Sequence, residues 1–157
     1  IFGDVSLYME SGLNGYYMAM AIYGWYQWQR GGSGSQGVAL SVWSARQHLF
    51  AIGLIMLATV ISGYILTVIT DARLPYIDSF TTWASILTTV MVARKVLENW
   101  LYWIVINSVS IFLYLDRELY QTAAMFFLYL VLATIGYFAW RKNYLEQNAK
   151  ITAANPV

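Results

Sequence analysis

The chain has 157 residues, of which 59% are hydrophobic, 17% aromatic and 11% charged, with a formal net charge of +1 and no cysteine. A soluble domain carries about 25% charged residues, so the composition sets aside a soluble helical bundle and points to an all-α integral membrane protein with a mean hydropathy of +0.53. No basic run could neutralise phosphates, which excludes a nucleic-acid partner, and a lone His48 without a carboxylate cluster argues against a metal or other cofactor.

In chain order, five apolar stretches read as spans: Ser11–Trp28, Leu49–Ile69, Ser79–Ala93, Asn99–Leu115 and Leu119–Trp140. The second and fifth reach the roughly 20 residues that cross a bilayer comfortably; the others are shorter. Those three carry Ser, Thr, Asn and Gly, as helices packed on protein rather than lipid do. Between the first two spans lies "GGSGSQGVALSVWSA", a Gly/Ser linker without periodicity. Arg30 and Arg46 flank it, Arg94 and Lys95 follow the third span, and Arg141, Lys142 and Lys150 follow the fifth. Acidic or mixed turns fall between, at Asp71, Arg73 and Asp78 and at Asp116–Glu118. Basic residues at alternate turns place these ends, and the C-terminus, in the cytoplasm. Trp25, Trp28, Trp43, Trp140 and Tyr144 lie near the same ends, as an interfacial aromatic belt requires.

An internal repeat organises the chain. "YMAMAIYGWYQWQR" (Tyr17–Arg30) aligns with "YLVLATIGYFAWRK" (Tyr129–Lys142) at an offset of 112, which matches Tyr17 to Tyr129, Ala21 to Ala133, Gly24 to Gly136 and Trp28 to Trp140. The same offset matches Asp4 to Asp116 and Leu7-Tyr8 to Leu119-Tyr120 without a gap. Both copies run from their apolar part toward a basic end, so the repeat is parallel. Two further spans precede the second copy, so the repeat predicts two helices ahead of Ile1. The expected architecture is three helices, a linker helix and three helices. On that plan residues 1–30 are the remainder of the first unit, 31–70 the loop and linker helix, 71–142 the second unit and 143–157 a cytoplasmic tail.

The fourth span opens with "ENWLYWIVIN". On a helix, Trp100, Trp103 and Asn107 at i, i+3 and i+7 share an arc of about 60°. An unsatisfied amide in hydrocarbon costs several kcal/mol, so Asn107 faces either a helix partner or a cavity. The first repeat helix offers the same spacing with Asn14, Tyr17 and Ala21. Arg94 and Glu98 stand at i, i+4, which reads as an ion pair on a solvated helix end or as a cytoplasmic gate. Gly24 and Gly136 allow close helix approach, Ser110 reads as packing, and His48 as an interfacial residue without a special role.

The stretches "IYGWYQW" (Ile22–Trp28), "ARKVLENWLYWIVINSVS" (Ala93–Ser110) and "LYQTAAMFFLYLVLATIGYFAW" (Leu119–Trp140) resemble the PnuC family of bacterial vitamin transporters, known for nicotinamide riboside. The resemblance covers nearly the whole chain and begins at the end of that family's second helix. It implies the SWEET-like fold and a place in the bacterial inner membrane. It also implies facilitated diffusion of a vitamin precursor, trapped by intracellular phosphorylation, and assembly as a homo-oligomer, a trimer. Trp100, Trp103, Asn107, Asn14 and Tyr17 become substrate-binding candidates, and Arg94 with Glu98 a candidate gate. The chain departs from the nicotinamide riboside pattern at Asn14 and Ala21, which keeps thiamine and riboflavin as alternative cargoes. A receptor or assembly subunit is the rival reading; no nucleophile–base pair supports an enzyme.

Overall fold

The computed structural model describes residues 2–30 and 38–154, with side chains described from residue 12 onward except Leu13. The glycine-rich part of the linker (31–37) and the repeat matches at Asp4, Leu7 and Tyr8 thus fall wholly or in their side chains outside the described residues. Five helices follow one another: α1 (Phe2–Arg30), α2 (Ala45–Ile69), α3 (Pro75–Ala93), α4 (Asn99–Asp116) and α5 (Tyr120–Ala154).

Local chemistry sets the boundaries. Ser44 caps α2 in a reciprocal capping box with Gln47, the pattern Ser-x-x-Gln encodes. Pro75 opens α3 at its first turn, where its missing N–H costs nothing. The break between α3 and α4 passes through Lys95, at φ 52°, and that between α4 and α5 through Glu118, at φ 58°. At about 1.5 Å per residue, the 19 residues of α3 and 18 of α4 still rise close to the ~30 Å hydrocarbon thickness. Residues 143–154 of the expected tail are helical and prolong α5 to Ala154; the run from Arg141 to Lys150 holds no Gly or Pro that would end a helix.

Packing differs from that of a soluble protein in leaving large apolar side chains outside while small polar ones join the hydrophobic interior. Thr59, Ser79, Thr88, Asn99, Asn107 and Ser110 are buried, while Leu49, Phe50, Val68 and Ile69 are each more than 60% exposed. In water each such side chain would forgo about 1.5–3 kcal/mol of burial; facing lipid tails it forgoes little. Small residues carry the interior contacts, as expected where backbones approach closely. Gly63 of α2 receives the ring of Tyr76 from α3. The core joins Ile55 of α2, Ala84 of α3 and Ile106 of α4, with Phe80, Leu87, Tyr102 and Trp103 around them. Helix α4 packs on α3 and α5, while among the described residues the backbone of α1 comes close to α3 alone and reaches α5 only through Trp28. Two hydrogen bonds fasten α1: Tyr16 Oη donates to the Ile86 carbonyl at 2.9 Å, and Trp28 Nε1 to the Ala93 carbonyl at 3.2 Å. A gap is left between α1 and the α4–α5 pair.

At the acidic turns, Arg117 pairs with Asp78 at 2.5 Å and Arg73 with Asp116 at 3.2 Å. The α2–α3 and α4–α5 connections therefore meet at one end of the bundle. At the opposite end, residue Ser41 forms a short parallel bridge with Val96, which ties the α1–α2 connection to the α3–α4 turn.

Candidate functional site

The gap is a cavity of about 470 Å³ lined by Tyr17 of α1, Ser85 of α3, Trp100, Trp103 and Asn107 of α4, and Phe126, Tyr129, Leu132 and Ala133 of α5. Trp100, Trp103 and Asn107 reach it because helical spacing turns all three to the face of α4 that looks toward α1 and α5. Asn107 is only 4% exposed, and its amide has no hydrogen-bond partner among the described residues. No helix-to-helix hydrogen bond from this amide is formed among the described residues. Trp100 Nε1 is likewise buried without a partner. Two polar groups at one cavity thus retain unused hydrogen-bonding capacity, each worth about 1–3 kcal/mol to a ligand that satisfies it.

Gly136 fixes the pose of Trp100. A Cβ built at that glycine would lie 2.7 Å from the Trp100 ring, so only glycine lets the indole lie flat against α5. Trp100 then meets Trp140 edge-on, with ring centroids 5.4 Å apart and planes at 87°. Trp140 in turn meets Trp28 at 6.0 Å, and Lys95 Nζ sits 5.3 Å above the Trp28 ring. A chain of three indoles therefore separates the cavity from the basic end. Trp28 and Trp140, which meet, are repeat mates, as are Tyr17 and Tyr129, which line the same cavity. From the cavity to the indoles, α1 and α5 run in the same direction, as a parallel repeat demands.

Asn14 stands elsewhere. It is exposed and does not line the cavity, in contrast to the expectation drawn from its spacing with Tyr17. Tyr16, two residues on, reaches α3, while Asn14 stays on an exposed part of α1. Ala21 faces a neighbouring hollow shared with Tyr17, Gly24 and Trp28. The residues missed from sequence are Ser85, Phe126, Tyr129, Leu132 and Ala133. The repeat held the signal for three of them, since Phe126, Tyr129 and Ala133 are the mates of Asn14, Tyr17 and Ala21.

Arg94 and Glu98 are not joined. The i, i+4 pairing requires a continuous helix, and α3 stops at Ala93. Glu98 instead accepts the backbone N–H of Trp43 at 3.2 Å and lies 3.7 Å from His48 Nε2. His48 is no bland interfacial residue: its Nδ1 is 2.9 Å from Tyr102 Oη, and its ring stacks on Tyr102. Ser110 is buried without lining the cavity.

A profile of the nicotinamide mononucleotide transporter family matches residues 1–142. The chain belongs to this family. As a member of a transporter family it is a membrane protein of the transport class rather than an enzyme. The nicotinamide riboside transporter PnuC of Escherichia coli is 23% identical over 175 residues, covering 96% of this chain and 73% of that protein. The riboflavin/roseoflavin transporter RibM of Streptomyces davaonensis is 29% identical over 101 residues, covering 60% of this chain and 46% of that one. A crystal structure of the vitamin B3 transporter PnuC superposes with a TM-score of 0.65 at 23% identity, covering 83% of this chain and 60% of the solved one. That likeness establishes the fold: the nicotinamide mononucleotide transporter family architecture is present over most of the chain, which spans three-fifths of the solved relative.

Proposed function

We propose that the chain carries nicotinamide riboside across the bacterial cytoplasmic membrane by facilitated diffusion, with Trp100, Trp103, Asn107 and Tyr17 binding it. The observation that carries this reading is the cavity itself: aromatic walls, one free amide and no basic side chain among its lining residues. A pyridinium ring fits such walls, since cation–π contact favours a charged nicotinamide by about 0.5–2 kcal/mol over a neutral ring. The Asn107 amide can both donate to and accept from a carboxamide. Tyr129, the repeat mate of Tyr17, completes the wall from α5.

The lack of a cation also supports the trapping mechanism. A phosphorylated product brings about two negative charges, and no lysine or arginine in the lining would offset their desolvation. Nicotinamide mononucleotide is therefore rejected while its unphosphorylated precursor passes, and intracellular phosphorylation drives net uptake. Arg94 and Glu98 stand at a cytoplasmic gate without pairing with each other; Glu98 holds the chain segment there through the Trp43 N–H. The C-terminus lies in the cytoplasm with the other basic ends, and the protein assembles as a homo-oligomer, a trimer. Riboflavin is the second reading, favoured by the likeness to RibM.

Uptake of radiolabelled nicotinamide riboside in cells lacking their own carrier tests the proposal, with and without the cytoplasmic riboside kinase. Accumulation above the external concentration is expected only with the kinase. Accumulation that persists after kinase deletion contradicts trapping, and absence of any riboside entry contradicts the substrate.

A further inference from the structure

A second, larger hollow of about 800 Å³ lies between α2 and α3 and does not reach the aromatic cavity. Its walls are apolar: Phe50, Ala51, Leu54, Ile55 and Ala58 from α2 face Ile86, Leu87 and Val90 from α3. Its mouth differs. Arg46 opens the α2 stripe and Arg94 ends the α3 stripe, so two guanidiniums stand at one rim, and neither is ion-paired among the described residues. At the other end Trp83 spans the groove, its Nε1 donating to Ser62 Oγ at 2.8 Å. From Arg46 to Ala58 the groove runs about 18 Å at ~1.5 Å per residue, close to the ~15 Å depth of one leaflet's hydrocarbon.

We propose that this groove is a binding site for an anionic phospholipid, its phosphate held by Arg46 and Arg94 and one acyl chain lying along α2 and α3 down to Trp83. The argument is one of charge and length. Apolar walls one leaflet deep fit an acyl chain, and paired arginines at headgroup level fit a phosphate bidentately. The opposite flank of α2 provides an internal contrast. A hollow of about 480 Å³ there is equally apolar, but its mouth holds Glu98 and His48, and a carboxylate at that rim repels the same headgroup. Glu98 does not line the basic groove and is engaged by the Trp43 backbone N–H and by His48, and Lys95 lies over Trp28, so Arg46 and Arg94 are the charged residues of the groove lining. The inference rests on membrane embedding and not on which vitamin is carried.

Native mass spectrometry of the detergent-purified full chain tests it. Phosphatidylglycerol and phosphatidylcholine of identical acyl chains are added in turn and the retained adducts counted. Each basic residue near a lipid headgroup strengthens anionic binding about fivefold, so phosphatidylglycerol should be retained about 25-fold more strongly than phosphatidylcholine. The double variant Arg46→Gln/Arg94→Gln should bring both lipids to the same level, Arg46→Lys/Arg94→Lys should keep most of the preference, and Ala51→Trp should displace both lipids. Monodisperse elution and unchanged helical circular dichroism show that each variant folds. Equal retention of the two lipids by the wild type, or a preference that survives the double glutamine variant, overturns the proposal. So does an Ala51→Trp variant that changes the number of copies in the assembly while leaving lipid retention intact, because the groove then receives protein.

Discussion

At the residue scale, the cavity depends on a few side chains whose chemistry cannot be exchanged. Asn107 is buried at the cavity, and its amide has no hydrogen-bond partner among the described residues. Replacing it by Leu keeps the volume and removes the donor and acceptor, which should weaken riboside binding by about 1–3 kcal/mol, or roughly 5- to 150-fold, without loss of fold. Equilibrium binding to the purified variant checks this. Gly136 bears on the site through Trp100: a methyl there would lie 2.7 Å from the indole and must push it into the cavity. Gly136→Ala should cost about 1–3 kcal/mol of stability by overpacking and shift the tryptophan emission spectrum as well as lower affinity. The face formed by Trp100, Trp103 and Asn107 was legible in sequence because helical spacing alone aligns them. Asn14 falls outside the described cavity for a related reason. Spacing shows which residues share a face but not which neighbour covers that face, and among the described residues the α1 backbone lies close to α3 alone.

At the element scale, the place of the α3–α4 turn was legible in sequence, since the apolar spans break between Ala93 and Asn99 as the helices do, but its conformation was not. "VARKVLENW" contains neither Gly nor Pro, so nothing in it specifies the positive φ at Lys95, which comes from tertiary contacts. Ser41 N–H donates to the Lys95 carbonyl at 3.1 Å and Leu97 N–H to the Ser41 carbonyl at 2.8 Å, which offers this backbone partners outside any helix. Glu98 completes the joint by accepting from Trp43 N–H. Glu98→Ala should therefore loosen residues 38–44 while leaving the helices intact. Hydrogen exchange read by mass spectrometry should show faster exchange in that segment alone; unchanged exchange there would mean that the Ser41–Val96 bridge suffices to hold it. The end of α5 was hidden for the opposite reason. Its polar residues from Asn143 onward resemble a tail by composition, yet each is a tolerable helix former.

At the scale of the whole molecule, the repeat explains the site. Two helices related by duplication run in parallel, bring Tyr17 opposite Tyr129, and close on each other through Trp28 and Trp140. Had the offset of 112 been applied to the site as well as to the architecture, Tyr129 and Phe126 would have been named from sequence. Ser85 had no such signal, because its helix has no repeat mate among the described residues. The apolar exterior, with large hydrophobic side chains exposed along the helices, was legible from composition. The five-helix order was legible from hydropathy and loop charge.

The central claim is that the aromatic cavity between α1, α4 and α5 binds the carried riboside. Isothermal titration of the purified full chain with nicotinamide riboside, beside thiamine and riboflavin, tests it most directly, repeated on Trp103→Ala and Trp103→Phe. The account predicts saturable binding of nicotinamide riboside that weakens by about 2 kcal/mol or more, at least roughly 30-fold, in Trp103→Ala and is largely kept in Trp103→Phe. Binding that is unaltered in Trp103→Ala would contradict it.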